Sequence, residues 1–305
     1  MIFLKTEKGP EKLSKWEEII CRPTFLGKLP KAEYKLSHII GYYELKDKIH
    51  CALSSCNQPH AKGYIVVTDN GVETNIGHRC GRRIFGIEFD SHASDFDKYR
   101  DNEERKLAIT YAKTRLYDWT QSLESMRSGG KDILWVTIAL EDILNSKYSG
   151  RAGAMEMRSI ARTQNPNVTV DMKVVDPKLK ALLFKFNKAF RDSGEALEEH
   201  ALGKVNNLHV LSSENNLKIM FSTAQDSIKQ ISACNIETTP SPELLSISQK
   251  SNALESDIAK IYRIYKDALD FLSKKNLYPI LKKLEHMESV STDDRVSFQD
   301  FLNQL

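Results

Sequence analysis

The sequence predicts a mainly α-helical protein in two domains, a small N-terminal α/β module over residues 1–96 and a helical bundle over residues 97–305. Three observations lead to this fold class. An Asn-Gly pair between two β-favouring runs indicates a β-hairpin. From about residue 97 onward, apolar residues recur every three or four positions, which is the spacing of one helix face. Near the C-terminus this spacing continues as a heptad pattern, which is typical of a long helix.

The composition excludes several classes of protein. With 41% hydrophobic and 28% charged residues among 305, the chain is expected to be globular and soluble rather than disordered. The apolar run over residues 133–140 is far shorter than the roughly 18 residues of a membrane span. Met1 to Leu4 are followed at once by charged residues, unlike the long apolar stretch of a secretory signal. We therefore expect a cytoplasmic protein with no membrane partner.

The N-terminal elements follow from local composition. Residues 10–20 are predicted to form a short helix, and residues 22–31, which contain proline and glycine, an irregular linker. Residues 36–45 favour a strand because β-branched and aromatic side chains fit a pleated sheet. The hairpin is predicted over residues 64–76, with Asn70-Gly71 in a type I′ turn.

The helical domain is predicted from its apolar stripes. A stripe between Ile109 and Met126 indicates one helix, and Ser128-Gly129-Gly130 interrupts it. Residues 131–145 then form a second helix that is apolar on nearly every face, as expected of a helix buried within a bundle. The two helices are expected to pair as a helical hairpin.

The middle of the helical domain has a mixed pattern. An extended segment is predicted over residues 165–175, and Asp176-Pro177 has the composition of a helix start, with the helix running to about Phe190. Residues 193–240 fit either helix or strand. The stretch over residues 239–242 contains two prolines and marks a break.

A long C-terminal helix is predicted over residues 244–278, ended or kinked by Pro279. Its heptad seam packs either inside the bundle or against a second helix. Residues 244–278 are therefore also a candidate surface for a protein partner or for self-association. The seam consists of Ile247, Ser251, Leu254, Ile258, Ile261, Tyr265, Ala268 and Leu272.

The five cysteines are unevenly distributed. In a cytoplasmic protein they are not expected to form a disulfide framework. Cys21 and Cys234 stand alone and are predicted to be small buried hydrophobic residues. The other three share one short window with histidines, and thiolate and imidazole are ligands that zinc prefers. The window offers five candidate ligands for Zn²⁺, namely Cys51, Cys56, His60, His78 and Cys80.

A structural zinc ion takes four ligands, so one histidine is expected to complete the three cysteines. His60 would close a compact Cys-x4-Cys-x3-His group before the hairpin, whereas His78 would share the start of a short helix with Cys80. The compact spacing favours His60, and His78 stays open as the alternative. In either case the ion would join both ends of the hairpin and add folding free energy to a module too small for a large core.

The residues of this window resemble treble-clef zinc fingers, in particular those of uncharacterised bacterial and phage proteins. In those fingers a Cys/His knuckle and a hairpin lead to a Gly-x-x-Cys-Gly turn. The resemblance covers about residues 48–90 and implies a zinc ion and a fold for that module only. A Cys-x4-Cys pair replaces the usual Cys-x2-Cys. The resemblance rests on Cys56-Asn57-Gln58-Pro59-His60, Gly63-Tyr64, Gly71, Ile76-Gly77, Cys80-Gly81 and Phe85-Gly86.

Basic residues near Cys80 indicate a nucleic-acid contact. The net charge of the chain is +3, and residues 1–90 supply all of this surplus. On a helix that starts near Cys80, Arg79, Arg82 and Arg83 share one side, and Lys62 lies at the base of the hairpin. A helix start with added guanidinium groups suits a phosphate of DNA or RNA. The competing interpretation is a solvated basic face whose arginines pair with Glu88 or Asp90.

The sequence is also compatible with two other classes of function. The zinc could be purely structural and the helices a protein-interaction scaffold, which the heptad seam favours. Some treble-clef relatives are ββα-metal nucleases, for which Asn75 and His78 would be candidate residues. No His-His or Asp-His pair at the first strand supplies the base of such an enzyme. We therefore expect a non-enzymatic zinc-binding protein that contacts nucleic acid.

Overall fold

The computed structural model describes residues 1–29 and 34–305. These residues form two compact units, one of residues 1–111 with 235–249 and one of residues 112–234 with 250–305. The mainly α fold class is confirmed, and a small antiparallel sheet lies in the N-terminal unit. The domain boundary near residue 97 stays a prediction. Pro30 and Lys31 of the predicted linker lie outside the described residues.

The first unit is built on a five-stranded antiparallel sheet with the order β2-β1-β3-β4-β5. A short helix, α1, lies between the second and third strands, and α2 follows the fifth. α2 is interrupted at Gly86, whose φ of 62° and ψ of −140° are not helical. The elements are β1 (Ile2–Thr6), β2 (Gly9–Leu13), α1 (Glu17–Ile20), β3 (Leu36–His50), β4 (Pro59–Thr68), β5 (Glu73–Ile76) and α2 (His78–Ser125).

Side chains alternate between two cores on this sheet, as the period of two in a strand requires. Tyr43 and Ile65 belong to one buried cluster. Tyr64 and Val66 belong to the other, which also contains Cys51 and Cys80. Two of the three clustered cysteines therefore belong to a packed hydrophobic core.

The predicted hairpin is confirmed, but its turn differs from type I′. Thr68 donates from its backbone N–H to the Val72 carbonyl at 2.9 Å, which leaves a three-residue loop. Gly71 alone has a positive φ of 79°, so the turn is of the three-residue class that ends in a left-handed glycine. The Thr68 hydroxyl contacts the Asn70 side chain at 2.6 Å and fixes the loop.

The second unit is helical except for one β-ribbon. The ribbon pairs β6 (Asn167–Lys173) with β7 (Leu197–Lys204) and carries α6 (Pro177–Phe186) and α7 (Lys188–Ser193) between its strands. The remaining elements are α3 (Ile133–Ile143), α4 (Ser146–Ser149), α5 (Arg151–Thr163), 3-10 turns at Leu208–Leu211 and Ser213–Asn215, α8 (Leu217–Ala233), α9 (Ser241–Phe271), α10 (Lys274–His286) and α11 (Thr292–Gln304).

Three predictions about helices need correction. The helix over residues 10–20 is wrong in its first half, because Gly9–Leu13 pairs with β1 as a strand. The α3 helix is not buried on every face, since Leu134 is 63% exposed. Pro279 lies inside α10 and does not end the long helix, which stops at Phe271, before Ser273 caps α10.

The Asp176 helix start is confirmed, because its side chain accepts a hydrogen bond from the Lys178 backbone N–H. That helix ends at Phe186 rather than near Phe190, because Asn187 adopts an extended conformation and caps α7.

The heptad seam of the C-terminal helix is buried in the monomer. Its eight residues are each at most 8% exposed, with Ala268 and Leu272 fully buried. The seam therefore packs within the chain, and it is not exposed for pairing with a second helix. Within the described ranges, no helix combines the length and the apolar character needed to cross a membrane.

The two isolated cysteines differ from each other. Cys234 is buried, as predicted for a small hydrophobic residue. Cys21 is exposed, so that prediction is wrong for it. Cys21 ends the short helix α1, where Ile19 rather than Cys21 points into the core.

Candidate metal centre

Three cysteines converge at one point in the first unit. The sulfur atoms of Cys51, Cys56 and Cys80 all lie within 4.8 Å of one another. Cys51 directly follows β3, Cys56 lies in the loop that leads to β4, and Cys80 lies in the first turn of α2. The predicted approach of the two ends of the hairpin is therefore present, and the three thiols are close enough to bind a metal ion.

Backbone hydrogen bonds shape the loop that carries two of these cysteines. Cys51 donates to the Gln58 carbonyl at 3.0 Å, and Cys56 donates to the Leu53 carbonyl at 2.9 Å. Asn57 adopts a left-handed conformation with φ of 46°, which asparagine tolerates better than most residues. The loop thus folds back on itself and points its two sulfurs the same way.

Asn75 ties this loop to the hairpin. It is 3% exposed, and its side-chain amide donates to the His50 carbonyl at 2.8 Å. Its own carbonyl accepts from the Ala52 backbone N–H at 3.1 Å. Asn75, a candidate catalytic residue in the nuclease alternative, therefore has its side chain engaged in holding the loop.

The three thiols differ in their electrostatic environment. Burial raises the pKa of the Cys51 thiol, although the sulfur accepts hydrogen bonds from the backbone of Leu53 and Gly77. Burial and the neighbouring Cys56 and Cys51 thiols raise the pKa of Cys80 to about 12. A metal ion must therefore displace protons from these sulfurs when it binds.

Cys56 behaves in the opposite way. Burial acts to raise the pKa of its thiol. Hydrogen bonds from Cys80, the Gln58 backbone and Cys51, together with the positive charge of Arg83, outweigh burial and lower that pKa. Of the three thiols, Cys56 is thus the one that loses its proton most readily.

His60 is held next to the centre by both ring nitrogens. Nδ1 lies 3.1 Å from the Gln58 carbonyl oxygen, and Nε2 lies 2.5 Å from the Tyr43 hydroxyl. A carbonyl can only accept, so Nδ1 carries the proton and Nε2 presents a lone pair. The ring packs against Gly77, where an added Cβ would come within 3.1 Å of the imidazole.

His78 faces a different group. Its Nε2 lies 3.9 Å from the Asp90 carboxylate, and its ring makes an edge contact with Phe89 at 5.8 Å between centroids. Among the described residues, the cluster of metal-ligating atoms within 4.8 Å contains the three sulfurs and neither imidazole. The structure thus brings the three cysteines together and places both candidate histidines outside that cluster.

The predicted basic residues separate into two pairs. Arg82 contacts Asp90 at 3.1 Å, as the competing interpretation predicted, and Lys62 contacts Glu44 at 2.7 Å. Arg79 and Arg83 are exposed and line a pocket of about 730 Å³ whose wall includes Cys56 and Cys80. Within the part of the chain that the structure describes, no ion pair is formed by Arg79 or Arg83.

Sequence reasoning missed Tyr43 and Gln58, the residues that orient His60. Tyr43 is fully buried, and burial raises its pKa well above the usual value, so its hydroxyl keeps the proton that it donates to Nε2. It lies opposite Gly63 across two strands. A tyrosine in a strand normally indicates packing alone, and only the register of β3 and β4 reveals its position near the site.

Comparison with known proteins identifies no relative: no family model, no curated protein and no solved structure matches the chain. The resemblance to treble-clef fingers therefore stays a prediction.

Proposed function

We propose that this chain is a non-enzymatic zinc-binding protein whose metal centre supports a nucleic-acid contact. The observation that carries the proposal is the convergence of three cysteine sulfurs, within 4.8 Å of one another, from the loop over residues 51–58 and the first turn of α2. Sulfurs that share one tetrahedral zinc ion lie about 3.8 Å apart, given a Zn–S distance of about 2.3 Å. The sulfurs here, all within 4.8 Å of one another, are compatible with that distance, and thiolates are soft donors that zinc prefers.

We assign the fourth ligand to His60 rather than His78. Its Nδ1–H is oriented by the Gln58 carbonyl, which is the usual second contact of a zinc-bound histidine. Its Nε2 lone pair would exchange the Tyr43 hydroxyl for the ion. The Tyr43 oxygen would still accept from the Asn75 side-chain amide, while its own O–H would need a new acceptor. His78 faces Asp90 instead.

The ion would act as a structural staple. It would fix the loop over residues 51–58 to the start of α2, and Asn75 already joins that loop to β5. The same four ligands would close the coordination sphere, which leaves no open position for a substrate. This closed donor set supports a structural zinc over the nuclease alternative.

Arg79 and Arg83 would supply the nucleic-acid contact. They lie one helical turn apart on α2 and line the same pocket, so both guanidinium groups can approach one phosphate. Lys62 and Arg82 are already paired with carboxylates, so we expect them to contribute less than the sequence predicts. The burial of the heptad seam removes the main observation that favoured the scaffold alternative.

Cobalt substitution tests the metal assignment. A Cys3His centre loaded with Co²⁺ gives intense tetrahedral absorption bands and a thiolate-to-metal charge-transfer band. We expect His60→Ala to shift these bands and to weaken Co²⁺ binding by more than the about 10–100-fold that loss of a ligand's hydrogen-bond partner costs, whereas His78→Ala leaves both unchanged. The reverse pattern would assign His78 as the ligand.

Nucleic-acid affinity at several salt concentrations tests the second half of the proposal. We expect the double variant Arg79→Ala/Arg83→Ala to weaken binding to DNA or RNA and to reduce the slope of log K against log salt by about 2. The matched control is Arg162→Ala/Arg263→Ala, which removes the same charge from exposed sites of the second unit. Equal affinities and slopes for the two variants would refute the phosphate contact.

A further inference from the structure

The helical pair α6–α7 projects from the end of the β-ribbon in the second unit. The ribbon continues to the contact of the Val174 N–H with the Ala196 carbonyl at 2.9 Å, and the chain between these residues forms the two helices. Neither helix contains a buried residue. This pair therefore exposes side chains that other helices of the chain place in a core.

One face of α6 carries an apolar stripe of two exposed and two half-buried residues. Leu179, Leu182, Leu183 and Phe186 follow the i, i+3, i+4, i+7 spacing of one helix face. Leu182 is 53% exposed and Phe186 is 76% exposed. A stripe of this kind on a helix normally faces a core or a partner. Leu179 and Leu183 are half-buried, whereas Leu182 and Phe186 stay exposed within the described ranges.

The same segment carries a concentrated positive charge. Between Pro177 and Arg191 the sequence contains four lysines, one arginine and no aspartate or glutamate, and the flanking acids are Asp176, which caps α6, and Asp192 in α7. Helical geometry places Lys178 and Lys185 on one side of the apolar stripe and Lys180 on the other. In the described part of the chain, no ion pair involves Lys178, Lys180, Lys185 or Lys188. The missing partner should therefore be both apolar and anionic.

The packing of the two helices narrows the choice of partner. The Arg191 guanidinium donates to the carbonyls of Phe184 and Lys185 at 3.0 and 2.9 Å, which holds α7 across the end of α6. A protein groove that receives a helix surrounds much of its circumference, but here α7 occupies part of it. A nucleic acid would pair with the lysines and leave the leucine stripe in water. A flat anionic surface with an apolar interior matches both features.

We propose that the α6–α7 pair is a docking surface for an anionic lipid bilayer. Leu182 and Phe186 enter the boundary between headgroups and acyl chains, and the flanking lysines contact lipid phosphates while their stems cover apolar surface. Such a contact lies in the plane of the interface and requires no spanning helix, and it would replace the expectation, drawn from the sequence, of no membrane partner. It is independent of the proposed zinc and nucleic-acid functions.

Vesicle co-sedimentation of the full chain tests this proposal. The probes are vesicles of phosphatidylcholine alone and vesicles in which about one third of the lipid is phosphatidylglycerol. We expect binding to the anionic vesicles only, weakened by added salt. Lys178→Gln/Lys180→Gln/Lys185→Gln/Lys188→Gln should lower the partition coefficient about tenfold or more, and Leu182→Ser/Phe186→Ser should do the same.

A matched control distinguishes binding through the α6–α7 pair from non-specific attraction by the positive charge of the whole protein. Lys46→Gln/Lys48→Gln/Lys274→Gln/Lys275→Gln removes four exposed lysines elsewhere and should retain vesicle binding within about twofold. Because α6 buries no residue, the variants in the segment should keep the circular dichroism spectrum of the parent. In a Phe186→Trp variant, the added fluorescence should shift to the blue on anionic vesicles.

Three outcomes would overturn the proposal. The first is an absence of binding to anionic vesicles. The second is binding that the control variant loses as strongly as the segment variants. The third is an unshifted Phe186→Trp emission on vesicles together with a loss of oligonucleotide binding in the lysine variant, which would assign the segment to nucleic acid.

Discussion

The loop over residues 51–58 lies at the edge of the first unit's core and is held by a few backbone hydrogen bonds and the buried Asn75. The second unit is held throughout by packed apolar side chains. In that unit Ile261, Phe271, Leu277 and Phe298 are each at most 1% exposed. Near the cysteines, Cys56 and His60 are partly exposed, and the loop over residues 51–58 has few large apolar residues. The two regions should therefore respond differently to the loss of a metal ion and to the loss of apolar volume.

Metal removal should give the largest effect and the sharpest separation of the two regions. Binding of a structural zinc ion contributes apparent free energies of about 10–16 kcal/mol in isolated fingers. After chelation we expect hydrogen exchange to rise in the loop over residues 51–58, in β5 and in the first turn of α2. Exchange in α8 and α10 should stay unchanged. Equal exchange with and without chelator in all these elements would show that no ion stabilises the loop.

Phe298→Ala should give the next largest effect, and it should be confined to the second unit. Phe298 is fully buried and packs so tightly on α5 that a Cβ at Gly153 would lie 2.4 Å from its ring. We expect a loss of about 3–5 kcal/mol in the free energy of unfolding. Phe186→Ala is the matched control, because that ring is 76% exposed, and it should change stability by less than about 0.5 kcal/mol. Urea titration of both variants measures the difference.

Asn75→Ala should destabilise the first unit by a smaller amount. It leaves the His50 carbonyl without its side-chain donor, which we expect to cost about 1–3 kcal/mol, while the backbone bond between Ala52 and residue 75 remains. Asn303→Ala, at an exposed site in α11, should be near neutral. If Asn75→Ala were also neutral in urea titration, the loop would not depend on the hydrogen bond from the Asn75 side chain to the His50 carbonyl.

The smallest expected effect is the pH dependence of metal binding, which tests whether the cysteines bind zinc as thiolates. Burial raises the pKa of the Cys51 thiol, and burial and neighbouring thiols raise that of Cys80 to about 12, so both are protonated near pH 7 without metal. Zinc binding should release these protons, and its affinity should rise with pH. Calorimetry in buffers with different ionisation enthalpies counts the protons. A titration without proton release would contradict thiolate ligation.

The sequence could predict the convergence of the cysteines because it depends on local signals. An Asn-Gly pair between two β-favouring runs indicates a hairpin, and a hairpin brings its two ends together. The type of turn could not be predicted in the same way. The Thr68 backbone closes a three-residue loop and its hydroxyl contacts Asn70, and the Asn-Gly pair does not indicate either contact.

Contacts between residues far apart in the sequence explain the main features that the sequence did not predict. Residues 9–13 form an edge strand because they pair with β1, which pairs in turn with Tyr42 and Tyr43 about forty residues after it. No local pattern in this proline-containing segment favours a strand. The orientation of His60 depends on Tyr43 in the same way, since only the sheet register brings the two side chains together.

Zinc stoichiometry tests the central claim most directly. Elemental analysis of the purified chain should find about one zinc ion per molecule. Cys80→Ala should lose this ion, whereas Cys21→Ala, which removes an exposed cysteine outside the cluster, should keep it. A parent protein that contains no zinc and takes up none, or a Cys80→Ala variant with the same zinc content as the parent, would contradict the account.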